Sequence, residues 1–140
     1  CFKPANNIAS DAQLEMYKQW YSEIRDVMKS HPDRLFIILT TPPLNPAETT
    51  PEEAARAREY AAWLLSDEFL ADSTNIEVFD FYMLLAENDP AQPDYNMLRS
   101  VYREGSDSHP TMTANEAIGP QFVDFVMEKA EEYRSISASK

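Results

Sequence analysis

Ser106-Asp107-Ser108-His109-Pro110 sets a carboxylate two residues before an imidazole, just ahead of an apolar helical pattern. A carboxylate beside a histidine is the orienting half of a nucleophilic triad: the acid fixes the ring tautomer and stabilises the imidazolium. A histidine held in this way can take the proton of a nearby hydroxyl as general base. Near the start of the chain, Asn6 and Asn7 precede a helix signal. An asparagine amide can donate to a developing oxyanion, and losing one such donor typically costs ~2.7–4 kcal/mol of transition-state stabilisation. Each feature also has a plainer reading. Asn commonly forms turns before a helix cap, and Asp107-Ser108-His109 also fits a polar loop closing onto a helix start. His31, in Lys29-Ser30-His31-Pro32-Asp33, sits at a helix-to-strand corner and reads as structural or solvated. Glu77 and Asp80 lie in a strand-like run and read as facing a helix terminus or solvent.

The elements that must position these groups follow from pattern and punctuation. Ser10-Asp11-Ala12-Gln13 is a capping box, and Leu14, Tyr17, Trp20 or Tyr21, Ile24, Val27 and Met28 recur at helical spacing. This predicts a helix over 11–30, ending before His31-Pro32 because proline disfavours helical geometry in its predecessor. Leu35–Thr41 is a continuous apolar run closed by Pro42-Pro43, as expected for a strand covered on both faces. Thr50-Pro51-Glu52-Glu53 is a second capping box with proline at the first helical position. Ala54, Ala57, Ala61, Leu64 and Leu65 form the inward stripe behind it. Ile76–Tyr82 predicts a second strand and 83–112 a long loop. A last helix is predicted over 113–134, with Gly119-Pro120 either kinking it or marking its true start.

Helices alternating with buried strands predict a three-layer α/β/α sandwich with a parallel sheet. Ligands of open α/β sheets bind outside the carboxyl ends of the strands. The loops at 3–10, 42–49 and 83–112 leave such ends, so Asn6, Asn7, Asp107 and His109 are expected on one rim. Two strands alone leave raw edges, and Cys1-Phe2 reads as the end of a third.

Composition narrows the classes. The 140 residues amount to one domain or part of one, with 44% hydrophobic and 11% aromatic residues and a net charge of −12. Such a surface repels nucleic acid and anionic membranes. No apolar run approaches the ~20 residues of a membrane-spanning helix. With Gly105 and Gly119 as its only glycines, the chain has no phosphate-cradling loop or dinucleotide fingerprint. Two histidines without paired ligand spacing make no zinc site, so neither a metal nor a cofactor is expected. Cys1 is the single cysteine. It fits a lipidated first residue or a truncation point, and Phe2-Lys3-Pro4 directly after it favours truncation.

The chain resembles the later part of an SGNH hydrolase, the GDSL-type esterase and lipase superfamily. The likeness rests on Thr40-Thr41-Pro42-Pro43 after a buried strand, Phe79-Asp80-Phe81-Tyr82 in the last strand, and Asp107-Ser108-His109-Pro110 before the final helix. Cys1 to Ile8 resembles the superfamily's third block, although Lys3-Pro4-Ala5 stands where a glycine is usual. The resemblance implies a flavodoxin-like sandwich of which residues 1–140 form the C-terminal part of a single domain. It also implies a Ser-His-Asp triad and an oxyanion hole of serine, glycine and asparagine groups. His109 is then the general base, Asp107 its orienter and Asn6 the oxyanion asparagine, with Asn7 as the fallback. The family's usual spacing is Asp-x-x-His; the Asp-x-His seen here looks more like polysaccharide O-acetyltransferase relatives. No Gly-Asp-Ser segment occurs, so by resemblance the nucleophile and the oxyanion glycine lie in sequence outside this chain.

The expected function is therefore a serine esterase acting on an ester or an O-acetylated carbohydrate. Its partners are that substrate and the N-terminal remainder of the same domain, with no nucleic acid and no transmembrane segment. One rival is an SGNH-like O-acetyltransferase using the same groups. Another is a non-catalytic α/β module binding a partner or glycan through the 83–112 loop, where Tyr82, Tyr95, Met97 and Tyr102 could stack on a sugar or peptide.

Overall fold

The computed structural model describes residues 7–138. It shows a mixed α/β fold with five helices and a two-stranded parallel sheet among these residues. Helix α1 spans Asp11–Lys29, and the Ser10 hydroxyl accepts from the Gln13 backbone N–H as expected. Gln13 reaches back one residue further than a standard capping box, accepting from the Ala9 N–H at 2.8 Å. Helix α2, Pro51–Leu64, has the full Thr50–Glu53 box. Strands β1 (Phe36–Leu39) and β2 (Ile76–Phe79) lie in parallel register, Phe36 beside Ile76 and Leu39 beside Phe79.

Strand side chains alternate between faces, so consecutive residues of β2 join different cores. Ile76 and Val78, with Ile38, pack among Leu14, Tyr17, Tyr60, Trp63, Leu64 and Phe69. Phe79 packs instead with Leu85, Leu98, Ala114 and Ile118, and its ring meets those of Phe122 and Phe125 edge-on or tilted. The two strands are a smaller sheet than the sandwich expected from sequence.

Two short helices add to the predicted elements, and the second takes the end of the segment expected to be strand and the start of the expected loop. Asp67–Leu70 forms α3, capped by the Ser66 hydroxyl and closed by Ala71 in the left-handed region at φ 47°. The second strand stops at Phe79 because Asp80 caps the next helix, α4 (Phe81–Leu85), taking the Met83 N–H at 3.1 Å. The Thr40 hydroxyl completes that switch. It accepts the Tyr82 N–H at 2.7 Å and donates to Asp80 at 3.3 Å, which locks the two strand ends together.

The segment after α4 is packed rather than free. Ala86 bridges Leu98, Glu87 bridges Tyr95, and a 3-10 turn spans Ser100–Tyr102. Tyr82 and Met97 are buried there, so neither can stack on a ligand. Arg58 lies over the Tyr95 ring and Arg99 over that of Tyr102. The Tyr82 hydroxyl is shared between the Ala54 carbonyl at 3.0 Å and the Asn96 carbonyl at 2.5 Å. Tyr82→Phe leaves both without that donor in a buried site and, in the full-length protein, should lower stability by ~1–3 kcal/mol, read as the shift of a urea unfolding midpoint at constant slope.

Helix α5 runs from Met112 to Ala138 with Pro120 inside it. It thus starts well before Gly119, settling the alternative left by the sequence. Proline supplies no N–H to the turn before it, and the Gln121 side chain adds a local bond to the Ala117 carbonyl at 2.9 Å.

Candidate active site

Asp107 and His109 meet within a single turn. The Asp107 carboxylate accepts the His109 backbone N–H at 3.0 Å, an Asx-type turn. The same oxygen lies 2.7 Å from His109 Nδ1. With Nδ1 engaged, Nε2 is the nitrogen that can act on another molecule. Both side chains are open to solvent, that of His109 at 76% exposure. The His109 backbone N–H, and after it the ring, hold the Asp107 carboxyl below its ordinary value. A carboxyl lowered by folding supports the folded loop above its ordinary range, and that support is lost as pH falls through the lowered value.

The pair is fastened to the loop that follows β1. Asn45, 3% exposed, donates from its amide to the Gly105 and Asp107 carbonyls, both at 3.1 Å. Its amide oxygen accepts the Ala47 N–H at 3.0 Å. The Asn45 backbone N–H donates to Ser108 Oγ at 3.0 Å, and the Ser108 hydroxyl donates to the Glu48 carboxylate. Gly105 takes φ 59° in this loop, where a side chain would be strained. Sequence reasoning missed Asn45, Ser108 and Glu48. Their one signal was a polar, proline-rich loop leaving the carboxyl end of a buried strand.

The segment before α1 docks on the same region. Ile8 is fully buried, its carbonyl accepts from Arg56 at 3.2 Å, and Arg56 also pairs with Asp11 at 2.7 Å. With its amide nitrogen toward Glu53, Asn7 donates to both carboxylate oxygens, at 2.8 and 3.0 Å. Asn7 is thus held on the first turn of α2. Asn6 and Cys1 lie outside the described residues.

The other candidates separate cleanly. His31 is exposed at the far end of the sheet, where Asn75 gathers the Met28, His31 and Arg34 carbonyls within 3.0–3.1 Å of its amide nitrogen. Burial pushes the Asp80 carboxyl up, against the opposing pull of the Met83 N–H and the Thr40 hydroxyl. Its observed partners are those of a helix cap. An apolar cleft of about 340 Å³, lined by Leu39, Phe79, Phe81, Ile118 and Phe122 among others, opens where the strands end against α5.

Among the described residues no cluster of three or more His, Cys, Asp or Glu is placed to hold a metal ion, and no helix is long and apolar enough to cross a membrane. In comparisons with known proteins, no family model, curated protein or solved structure matches this chain. What chemistry is open to the chain follows from the site alone. A carboxylate on Nδ1 with Nε2 open is a geometry in which a histidine can act as a general base.

Proposed function

We propose that these residues form the acid–base half of an SGNH-type serine ester hydrolase acting on an ester or O-acetylated carbohydrate. The observation that carries the reading is the 2.7 Å contact between Asp107 and His109 Nδ1, on a loop fastened to the carboxyl end of β1. The serine attacks the ester carbonyl while His109 takes its proton at Nε2. His109 then returns that proton to the leaving alcohol, and water releases the acid by the same steps in reverse roles. Asp107 holds the ring. In this reading Asn6 donates to the oxyanion, since the Asn7 amide is already engaged by Glu53.

The nucleophile is assigned to polypeptide outside residues 1–140, in a wider three-layer sandwich. Two features support such a sheet. First, among the described residues β1 has a free edge beside an uncovered Leu39, which is 45% exposed. Second, α1 and α2 pack in the same core against one face of the sheet. Crossovers between parallel strands are right-handed in about 98% of cases. A strand entering α1 and a strand entering α2 must then step the same way across the sheet, which puts the former on the free edge of β1. Trp20, Ile24 and Val27 form an exposed apolar stripe on α1 that a neighbouring helix in the same layer would cover.

Two measurements test this reading. The 140 residues alone are expected to self-associate or melt without a cooperative transition; a sharp monomeric melt counts against a missing strand. In full-length protein a fluorophosphonate probe is expected to label one serine outside residues 1–140, with labelling suppressed in His109→Ala. No labelling together with no hydrolysis of p-nitrophenyl acetate, or labelling at Ser106 or Ser108, sinks the proposal.

A further inference from the structure

We infer that Asn45 is the positioning residue of the Asp107–His109 pair, holding the carboxylate in line with Nδ1 through its side-chain amide and its backbone N–H to Ser108. The catalytic meaning of this inference rests on the proposed reading of His109 as a base; the positioning itself does not. Asp107 and His109 are both exposed, and their mutual contact lies within one turn, so that contact does not by itself orient the pair relative to the sheet. Asn45 does so. It is nearly fully buried, and its amide is spent on three backbone groups: the carbonyls of Gly105 and Asp107 and the N–H of Ala47. Two of these flank the bend that carries the acid, and the third rigidifies the loop after β1. The Glu48 N–H closes onto the Asn45 carbonyl at 2.8 Å, and the Ser108 hydroxyl bridges the Asn45 N–H to the Glu48 carboxylate. Truncating Asn45 removes both bonds to the 105–107 segment and the bond that holds the Ala47 N–H. The loop bearing the acid then loses its fixed register against β1. Misplacement by about 1 Å at a reacting group can cost about 10²-fold in rate.

Asn75 provides an internal control. It is an equally buried amide that gathers three carbonyls, but at the opposite end of the sheet. Asn45→Ala and Asn75→Ala should both lower stability. In full-length protein, nitrogen-15 NMR of the histidine rings should show His109 in its Nδ1–H tautomer in the parent and in Asn75→Ala. In Asn45→Ala the ring should move to a tautomer mixture, and the Asp107 carboxyl titration should rise toward its ordinary 3.8. Turnover of p-nitrophenyl acetate should fall about 10²-fold in Asn45→Ala with little change in KM. Ser108→Ala cuts the solvent side of the same clamp and should move the tautomer in the same direction by less. It decides the matter if Asn45→Ala does not fold. An unchanged tautomer and carboxyl titration in folded Asn45→Ala, or in Ser108→Ala where Asn45→Ala is unfolded, overturns the inference. A shifted tautomer with no turnover in the parent protein upholds the clamp and rejects the hydrolase reading instead.

Discussion

Replacing His109 with alanine in the full-length protein is expected to reduce ester turnover by roughly 10⁴-fold or more while leaving the unfolding midpoint unchanged. Both halves of that expectation come from the same geometry. The ring is 76% exposed and its polar contact is with Asp107 in its own turn. Removing it strands no buried group, and surface changes of this kind usually stay within about 0.5 kcal/mol. The chemistry, by contrast, has no second base to fall back on in this chain. The remaining histidine, His31, sits at the other end of the sheet, so His31→Ala should change neither property. Steady-state hydrolysis of p-nitrophenyl acetate alongside thermal unfolding reads both. Equal rates for the two variants would show that the site is wrongly placed.

Asp107→Asn is the second large effect, an expected loss of at least ~10² in turnover. An asparagine oxygen can still accept the His109 backbone N–H, so the bend should survive. What disappears is the negative charge that stabilises the imidazolium; the oxygen that takes the backbone N–H is also the one facing Nδ1, so the loss is that of the charge rather than of the tautomer. In a well-studied serine protease the equivalent change costs ~10⁴ in turnover. A smaller loss is expected here because the exposed loop offers water as a substitute acceptor. Because the His109 N–H and ring lower the Asp107 carboxyl, its titration in the parent should lie below the ordinary carboxylate range. Ser106→Ala should have little effect, since a hydroxyl at the family's usual acid position cannot replace a carboxylate. Turnover near the parent level in Asp107→Asn would mean that Glu104 or Asp80 orients the ring, or that no triad operates. The Thr40 and Met83 partners of Asp80 already argue against the latter acid.

Local features were legible in the sequence and distant ones were not, for a physical reason. Helices α1 and α2 announce themselves by periodic apolar residues and by caps that act within three residues, β1 by a continuous apolar run, and β2 by β-branched and aromatic residues around Glu77. The Asp107–His109 pair is local in the same sense. By contrast, α4 looked like strand because Phe81 and Tyr82 are strand-prone residues. What turns them into a helix is the Asp80 cap together with a hydroxyl on Thr40, which lies 42 residues from the Tyr82 N–H it accepts. Asn45 was invisible because its partners lie 60 and 62 residues downstream. Short-range pattern carries no information about which buried amide will meet which carbonyl.

The three-residue closure of the Asp107–His109 turn also sets an order of assembly. Short loops close in about 10–100 ns, whereas contacts between distant segments must first overcome the entropy of a long closure. The acid–base pair can thus form and reform in the unfolded chain, ahead of the pairing of Phe36 with Ile76. A peptide carrying only Ser106–Thr111 should accordingly sample the bend, and carbon-13 titration should find its aspartate slightly more acidic than in a scrambled peptide. What it will not do is hold still. The pair acquires a fixed address only when β1 has found β2 and the loop behind β1 has closed over it, so local formation of the bend and its placement against the sheet are separate events.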